Sequence, residues 1–253
     1  MNNILAIIPS RYASTRFPGK PLALVHGVPM VIRVYNRASS VFSDVCVATD
    51  DQRIFDTVRK AGGKAVMTSS SHRSGTDRCL EALKKYSSQT GKAFDGVVNV
   101  QGDEPFISPL QIETLAKTLM MDGVDIATIV KRASCVSELQ DANRPKVVVN
   151  KNMEALYFSR SMIPFPRGRE LCEATVKELP YYLHVGLYGY RSAVLEKICS
   201  LEESFLEKTE KLEQLRWLEN GLKIKVAECN EPSFGIDTPE DLEKINKMSI
   251  DEL

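Results

Sequence analysis

Five short apolar, β-branched runs at 3–8, 44–49, 64–67, 95–100 and 125–131 alternate with helix-forming stretches near 29–41, 51–62, 75–87 and 109–121. This alternation limits the fold more than any other feature of the chain. Strands separated by helices build βαβ units, because a parallel neighbour can be reached only through a long crossover. The run from Asp95 to Val100 is apolar at alternate and intervening positions alike, as a strand covered by helices on both faces must be. Asp50 or Asp51 can cap the helix that follows 44–49, and Gly62-Gly63 ends it. The expectation for the first half is a mostly parallel α/β sheet.

After about residue 132 the pattern changes. Runs at 146–149, 155–158 and 181–190 read as antiparallel strands, and 162–180, with Pro164, Pro166 and Pro180, reads as a surface loop. Residues 209–220 read as one helix with an apolar stripe of Leu212, Leu215, Leu218 and Leu222. A strand near 223–227 and a helix from Pro239 close the chain. The 253 residues suit one domain. Its expected parts are an α/β core over 1–132, a β-rich insertion over 133–208 and a return to the core over 209–253.

Composition narrows the function. Lys+Arg and Asp+Glu are equal, at 33 each, so net charge gives no footing for nucleic acid or an anionic membrane. No apolar run approaches the roughly 20 residues that span a bilayer, and the N-terminus has no secretory-leader pattern. The six cysteines, at 46, 79, 135, 172, 199 and 229, form no Cys-x-x-Cys pair, which disfavours zinc. A reduced, cytoplasmic protein is expected. Any site for an anion must come from local clustering.

Such a cluster follows the first strand. Arg11-Tyr-Ala-Ser-Thr-Arg-Phe-Pro-Gly-Lys20 brings Arg11, Arg16 and Lys20 to a strand's carboxyl end, where ligands bind in open α/β sheets. Guanidinium forks and an ammonium suit a polyphosphate. The P-loop is excluded, because Gly19-Lys20 is followed by Pro21 and Ser14 stands where the first glycine belongs. Gly-x-Gly-x-x-Gly is absent after this strand as well.

Gln101-Gly-Asp-Glu-Pro105 ends another strand. Gly102 would let backbone approach a ligand. Asp103 can hold Mg²⁺, which takes one or two carboxylates plus phosphate oxygens and waters, or can cap the helix near 109. In Gly235-Ile-Asp-Thr-Pro-Glu-Asp241, helix capping explains Thr238, Pro239, Glu240 and Asp241. It does not explain Asp237, and spacing alone leaves that residue open as a second carboxylate. In Arg73-Ser-Gly-Thr-Asp-Arg78, Ser74 or Thr76 can cap a helix or face a base. Arg160, His184, Tyr188, Glu213 and Gln214 lie among aromatic residues. Solvation is the default for Glu210, whereas Glu213 beside Gln214 can bind sugar hydroxyls.

These motifs, with Val47-Ala-Thr-Asp50, Tyr157-Phe-Ser-Arg160, His184-Val-Gly-Leu-Tyr-Gly-Tyr190 and Leu212-Glu-Gln-Leu-Arg216, occur in one order over residues 3–248. The chain resembles the 3-deoxy-manno-octulosonate cytidylyltransferases, or CMP-Kdo synthetases. The resemblance implies a Rossmann-like nucleotidyltransferase sheet and a cytoplasmic, Mg²⁺-dependent homodimer of lipopolysaccharide biosynthesis. The implied reaction converts CTP and Kdo to CMP-Kdo and pyrophosphate.

The resemblance also implies roles. Arg11, Arg16 and Lys20 would bind the triphosphate, and Asp103 and Asp237 would hold Mg²⁺. Ser74, Gly75, Thr76 and Arg78 would meet cytosine and ribose. Gln101, Arg160, His184, Tyr188, Glu213 and Gln214 would form the sugar pocket, with Arg160 on the Kdo carboxylate. Ser10 and Phe17 depart from the Ala and Leu common in the family. The rival readings are a CMP-sugar synthetase for sialic acid or 8-amino-Kdo, and a non-catalytic sugar-nucleotide-binding protein. The presence of Lys20, Asp103 and Asp237 argues against the second.

Overall fold

In a computed structural model, which describes residues 3–13, 17–232 and 235–249, the expected strands and helices of the first half are all present. They are β1 (Ile4–Ser10), α1 (Met30–Ser39), β4 (Val45–Thr49), α2 (Gln52–Lys60), β5 (Ala65–Met67), α3 (Gly75–Thr90), β6 (Gly96–Asn99), α4 (Pro109–Leu119) and β7 (Ile126–Arg132). A 3₁₀ turn (Lys20–Leu22) and a small hairpin of β2 (Leu24–Val25) and β3 (Val28–Pro29) stand between β1 and α1. The hairpin's two-residue strands are too short to show as a sequence period. Among the described residues, no helix is long and apolar enough to cross a membrane.

The second half holds α5 (Val136–Gln140), β8 (Lys146–Val149), β9 (Ala155–Ser159), α6 (Glu173–Glu178), β10 (Tyr182–Arg191), α7 (Ser192–Cys199), α8 (Phe205–Glu210), α9 (Gln214–Glu219), β11 (Ile224–Glu228) and α10 (Pro239–Lys247). The main sheet runs β11-β7-β10-β6-β1-β4-β5, with β8 paired to β10 and β9. β1 pairs in parallel with β4 and β6, β4 with β5, and β7 with β11. β10 runs antiparallel between β6 and β7. This strand, read from sequence as part of the insertion, thus stands inside the main sheet.

Alternation along β1 feeds two cores. Ile4, Ala6 and Ile8 pack with Val31 and Val34 of α1, Ile54 and Val58 of α2, and Ile112 and Leu115 of α4. Leu5 and Ile7 pack with Cys79, Ala82 and Tyr86 of α3, and with Leu195 and Ile198 of α7. Helices therefore cover both faces, the reason the strands are apolar throughout.

Two expectations are corrected. Residues 162–180 are not a plain surface loop. α6 lies within them, and its Val176 joins Leu139, Tyr181 and Leu183 in a small separate core. Residues 209–220 are not one helix. α8 begins with a capping box of Ser204 and Glu207 and stops at Lys211, whose φ of 54° is left-handed; α9 starts afresh at Gln214. The break brings Glu210 to β9, where it accepts from Ser159 Oγ at 2.6 Å and Arg160 N–H at 3.0 Å. Glu210 is therefore no solvated charge.

Candidate active site

β1 has β4 on one side and β6 on the other, and the chain runs β1, β4, β5 before returning to β6. The carboxyl ends of β1 and β6 therefore flank a topological switch point, where α/β sheets bind ligands. A cleft of about 240 Å³ lies there. Ser10 at the end of β1 and Arg11 just beyond it line it, with Lys20 and Pro21 from the 3₁₀ turn, His72, Arg73 and Ser74 from the loop before α3, Gly75 and Arg78 from α3, and Gln101, Gly102 and Asp103 from the loop after β6; Asp237 completes the wall.

Each arrives for a local reason. Gly19 has a φ of 75°, and a Cβ on it would come 3.1 Å from the Tyr12 ring. Glycine is thus required for the turn that presents Lys20. A Cβ on Gly102 would meet Pro9 O and Ser10 Oγ at 3.0 Å. The close approach in the structure is to the end of β1, and Gly102 also lines the cleft. Ser74 caps α3, accepting Asp77 N–H at 3.1 Å. Ser108, not Asp103, caps α4, which frees Asp103 from the capping alternative. Ile236 N–H donates to Asp103 O at 3.0 Å, and Thr238 caps α10 with Asp241. Together these bonds bring Asp237 beside Asp103.

Lys20 Nζ donates to Asp103 Oδ2 at 2.7 Å, Ile236 O at 3.0 Å and Asp237 Oδ1 at 3.3 Å. Two carboxylates from distant parts of the chain thus converge on one cation. Glu104 stands beside them, with Oε2 buried and without a hydrogen-bond partner among the described residues. Burial, then the charges of Asp103 and Asp237, push its pKa up to about 7. That excess of negative charge suits a divalent cation. No group of three His, Cys, Asp or Glu side chains forms a metal cage among the described residues. Two carboxylates completed by phosphate oxygens and water fit Mg²⁺ better than a dedicated cage.

A second polar cluster surrounds Glu213. Its Oε2 accepts from Thr76 Oγ1 at 2.8 Å and its Oε1 from Arg216 Nη2 at 2.8 Å. Burial raises its pKa, outweighing the bonds from Thr76 and Arg216. Tyr188 lies 5.2 Å from Trp217, edge to face, and 5.1 Å from His184. Tyr188 Oη, Tyr190 Oη, Trp217 Nε1 and Gln214 Nε2 are buried without hydrogen-bond partners among the described residues. Unmet capacity of this kind is expensive unless a ligand or water satisfies it. His184 Nε2 lies 3.0 Å from Thr128 Oγ1, which donates to Leu187 O at 2.8 Å. The hydroxyl proton being used, Nε2 carries the ring proton. Burial lowers the pKa of His184 to about 3. A register shift between Val185 and Tyr188 marks a bulge that re-aims this stretch, and Gln101 Nε2 donates to Gly186 O there at 3.1 Å.

Residues 5–224 match the family model described as cytidylyltransferase. A 3-deoxy-manno-octulosonate cytidylyltransferase of Parabacteroides distasonis is 53% identical over 96% of this chain and 97% of its own. One from Phocaeicola vulgatus is 52% identical over 94% of each. The chain belongs to the 3-deoxy-manno-octulosonate cytidylyltransferase family. A solved CMP:2-keto-3-deoxy-manno-octonic acid synthetase, complexed with CTP, matches over 100% of both chains with 41% identity and a TM-score of 0.89.

The sequence-predicted residues of this cytidylyltransferase divide in two. Arg11, Lys20, Ser74, Gly75, Arg78, Gln101, Asp103 and Asp237 share the cleft wall; Arg16 lies outside the described residues. Arg78 is buried, its Nη1 donating to Thr68 Oγ1 at 2.6 Å and its Nη2 to Asp50 Oδ2 at 2.9 Å. Thr76, Arg160, His184, Tyr188, Glu213 and Gln214 are not on that wall. Thr76 faces Glu213 and so links the two clusters. Arg160 donates from Nε to Glu210 O at 2.7 Å, from Nη1 to Ala142 O at 2.9 Å and from Nη2 to Lys211 O at 3.3 Å. Three carbonyls of its own chain hold it, with N–H donors to spare. Sequence reasoning gave no role to His72, Arg73 or Glu104, although Arg73 opens one motif and Glu104 lies inside another.

Proposed function

We propose that this cytidylyltransferase joins CTP to 3-deoxy-D-manno-octulosonate and releases pyrophosphate. The observation that carries the reading is the convergence of Asp103 and Asp237 on Lys20 at the switch point, in a chain 41% identical to a synthetase solved with CTP. The anomeric hydroxyl of Kdo attacks the α-phosphorus of CTP. The bond from that phosphorus to the bridging oxygen breaks, pyrophosphate leaves with the electron pair, and the hydroxyl loses its proton. Arg11 and Lys20 bind the triphosphate and neutralise charge on the departing pyrophosphate, with Arg16 assigned the same role from sequence. Such work is positioning and electrostatic stabilisation, and needs no side-chain nucleophile.

Asp103 and Asp237 would hold Mg²⁺, which supplies charge neutralisation at the phosphates. Ser74, Gly75, Thr76 and Arg78 form the nucleoside end. Gln101, His184, Tyr188, Glu213 and Gln214 bind the sugar, which the unmet polar groups around Tyr188 and Gln214 support. Arg160 takes the Kdo carboxylate with the donors its carbonyl contacts leave over. The enzyme acts in the cytoplasm, in lipopolysaccharide synthesis, as a homodimer through 133–208. Leu156, Phe165 and Phe205, exposed by 60%, 78% and 75%, favour a partner on that part.

The test is product analysis after incubation with CTP, Mg²⁺ and Kdo, 8-amino-Kdo or N-acetylneuraminate in separate reactions. A CMP-sugar from Kdo is expected. A product from another acceptor only would move the specificity, and none from folded, CTP-binding protein would leave a binding protein.

A further inference from the structure

Glu81 lies on α3, two turns beyond the cap at Ser74, and the reaction described above gives it no task. Its Oε2 accepts Ser69 N–H at 2.8 Å and also meets His72 Nε2, while Oε1 pairs with Lys85 Nζ at 2.7 Å. Partial burial pushes its pKa up, but bonds from Lys85, Ser69 and His72 outweigh this and hold it at about 2. The carboxylate is therefore ionised at neutral pH and only accepts, so His72 Nε2 carries a proton.

The same helix grips the same loop twice more. Arg78 donates to Thr68 Oγ1 at 2.6 Å, and Lys85 Nζ to Met67 O at 2.8 Å. Ser71 N–H closes on Ser69 Oγ at 3.1 Å. The loop so held delivers His72, Arg73 and Ser74 to the cleft wall. His72 is thus a cleft-lining imidazole whose tautomer and place are fixed by a carboxylate behind it. Such an arrangement orients a ring toward a ligand.

Resting on the CTP reading, we propose that His72 contacts the bound nucleotide and that Glu81 is the positioning residue that holds it there. The pair sets affinity for CTP and leaves Kdo untouched. The experiment is steady-state kinetics with each substrate varied, on Glu81→Gln, His72→Ala, the double variant and Lys84→Ala. Glu81→Gln and His72→Ala are each expected to raise KM for CTP about tenfold, with kcat and KM for Kdo within about twofold. The double variant is expected to match His72→Ala alone, because both changes remove one contact. Lys84→Ala on the same helix, which removes an exposed pair with Glu196, is expected to keep KM for CTP near wild type.

An unchanged KM for CTP in His72→Ala, additive losses in the double variant, or equal losses for both substrates would each overturn the proposal. If Glu81→Gln does not fold, His72→Ala at wild-type melting temperature decides by its KM for CTP. If wild-type protein makes no CMP-Kdo, the parent reading fails. Calorimetric titration with CTP alone would then still show whether the pair holds nucleotide.

Discussion

The cleft at the ends of β1 and β6 and the cluster around Glu213 are both polar, yet they hold their polar groups in opposite ways. In the cleft, charges reach the wall on short loops from strand ends, and Lys20 and the carboxylates face open space. Around Glu213 the groups come from the interior faces of β10 and α9, sealed by Tyr188, Tyr190 and Trp217. The cleft suits a large, heavily charged ligand that keeps part of its water. The cluster suits a smaller ligand that satisfies buried donors and acceptors one by one. Thr76 joins them, since its neighbours on α3 line the cleft while its own hydroxyl binds Glu213.

The largest effect that could break this contrast lies in the cleft. Asp103→Asn should lower kcat at least about 100-fold, the scale on which a lost electrostatic contact in the transition state acts. Affinity for CTP, measured by calorimetry, should change far less. Near-normal turnover with Mg²⁺ would remove Asp103 from the chemistry.

On the other side of the contrast, Arg216 is buried between Glu213, at 2.8 Å, and Glu207, at 3.4 Å. Arg216→Met should cost about 3 kcal/mol of stability in denaturant unfolding, because it strands two half-buried carboxylates. A loss below about 1 kcal/mol would show that the cluster is wetter than described.

His184 gives a pH test. Unfolded, it takes a proton near its ordinary 6.5; folded, only near 3. Between those values the unfolded state binds more protons, so stability falls as pH falls, by up to about 1.4 kcal/mol per unit. The unfolding free energy of wild type relative to His184→Gln should drop in that direction between 6.5 and 4.5. Parallel curves would mean that the imidazole is already solvated.

The smallest effect concerns how Asp237 is held. Thr238→Ala breaks the α10 capping box and should cost about 1 kcal/mol, with a measurable rise in KM for CTP. A stability loss without a kinetic one would separate the cap from the site.

The same contrast explains what the sequence made legible. Charges at strand ends are visible because strand and loop alternate on a short period, so Arg11, Lys20 and Asp103 could be placed by position alone. Asp237 was left open because its neighbour is set by one long-range bond, Ile236 N–H to Asp103 O. The break at Lys211 escaped because the leucine stripe begins just beyond it, at Leu212, so no apolar period marks the stop, and a left-handed lysine carries no signal of its own. Glu210 was misread for the same reason, since its partners on β9 depend on that break. His72 was invisible because its partner Glu81 is one of many helix-face carboxylates until the loop is seen folded against it.

The account stands most directly on one measurement: pyrophosphate release from purified wild type and Asp103→Asn, side by side, with CTP, Mg²⁺ and Kdo. Wild type should release pyrophosphate only when Kdo is present, in step with CMP-Kdo formed, while the variant binds CTP and releases almost none. Wild type that binds CTP yet releases no pyrophosphate with Kdo, or a variant as fast as wild type, would contradict it.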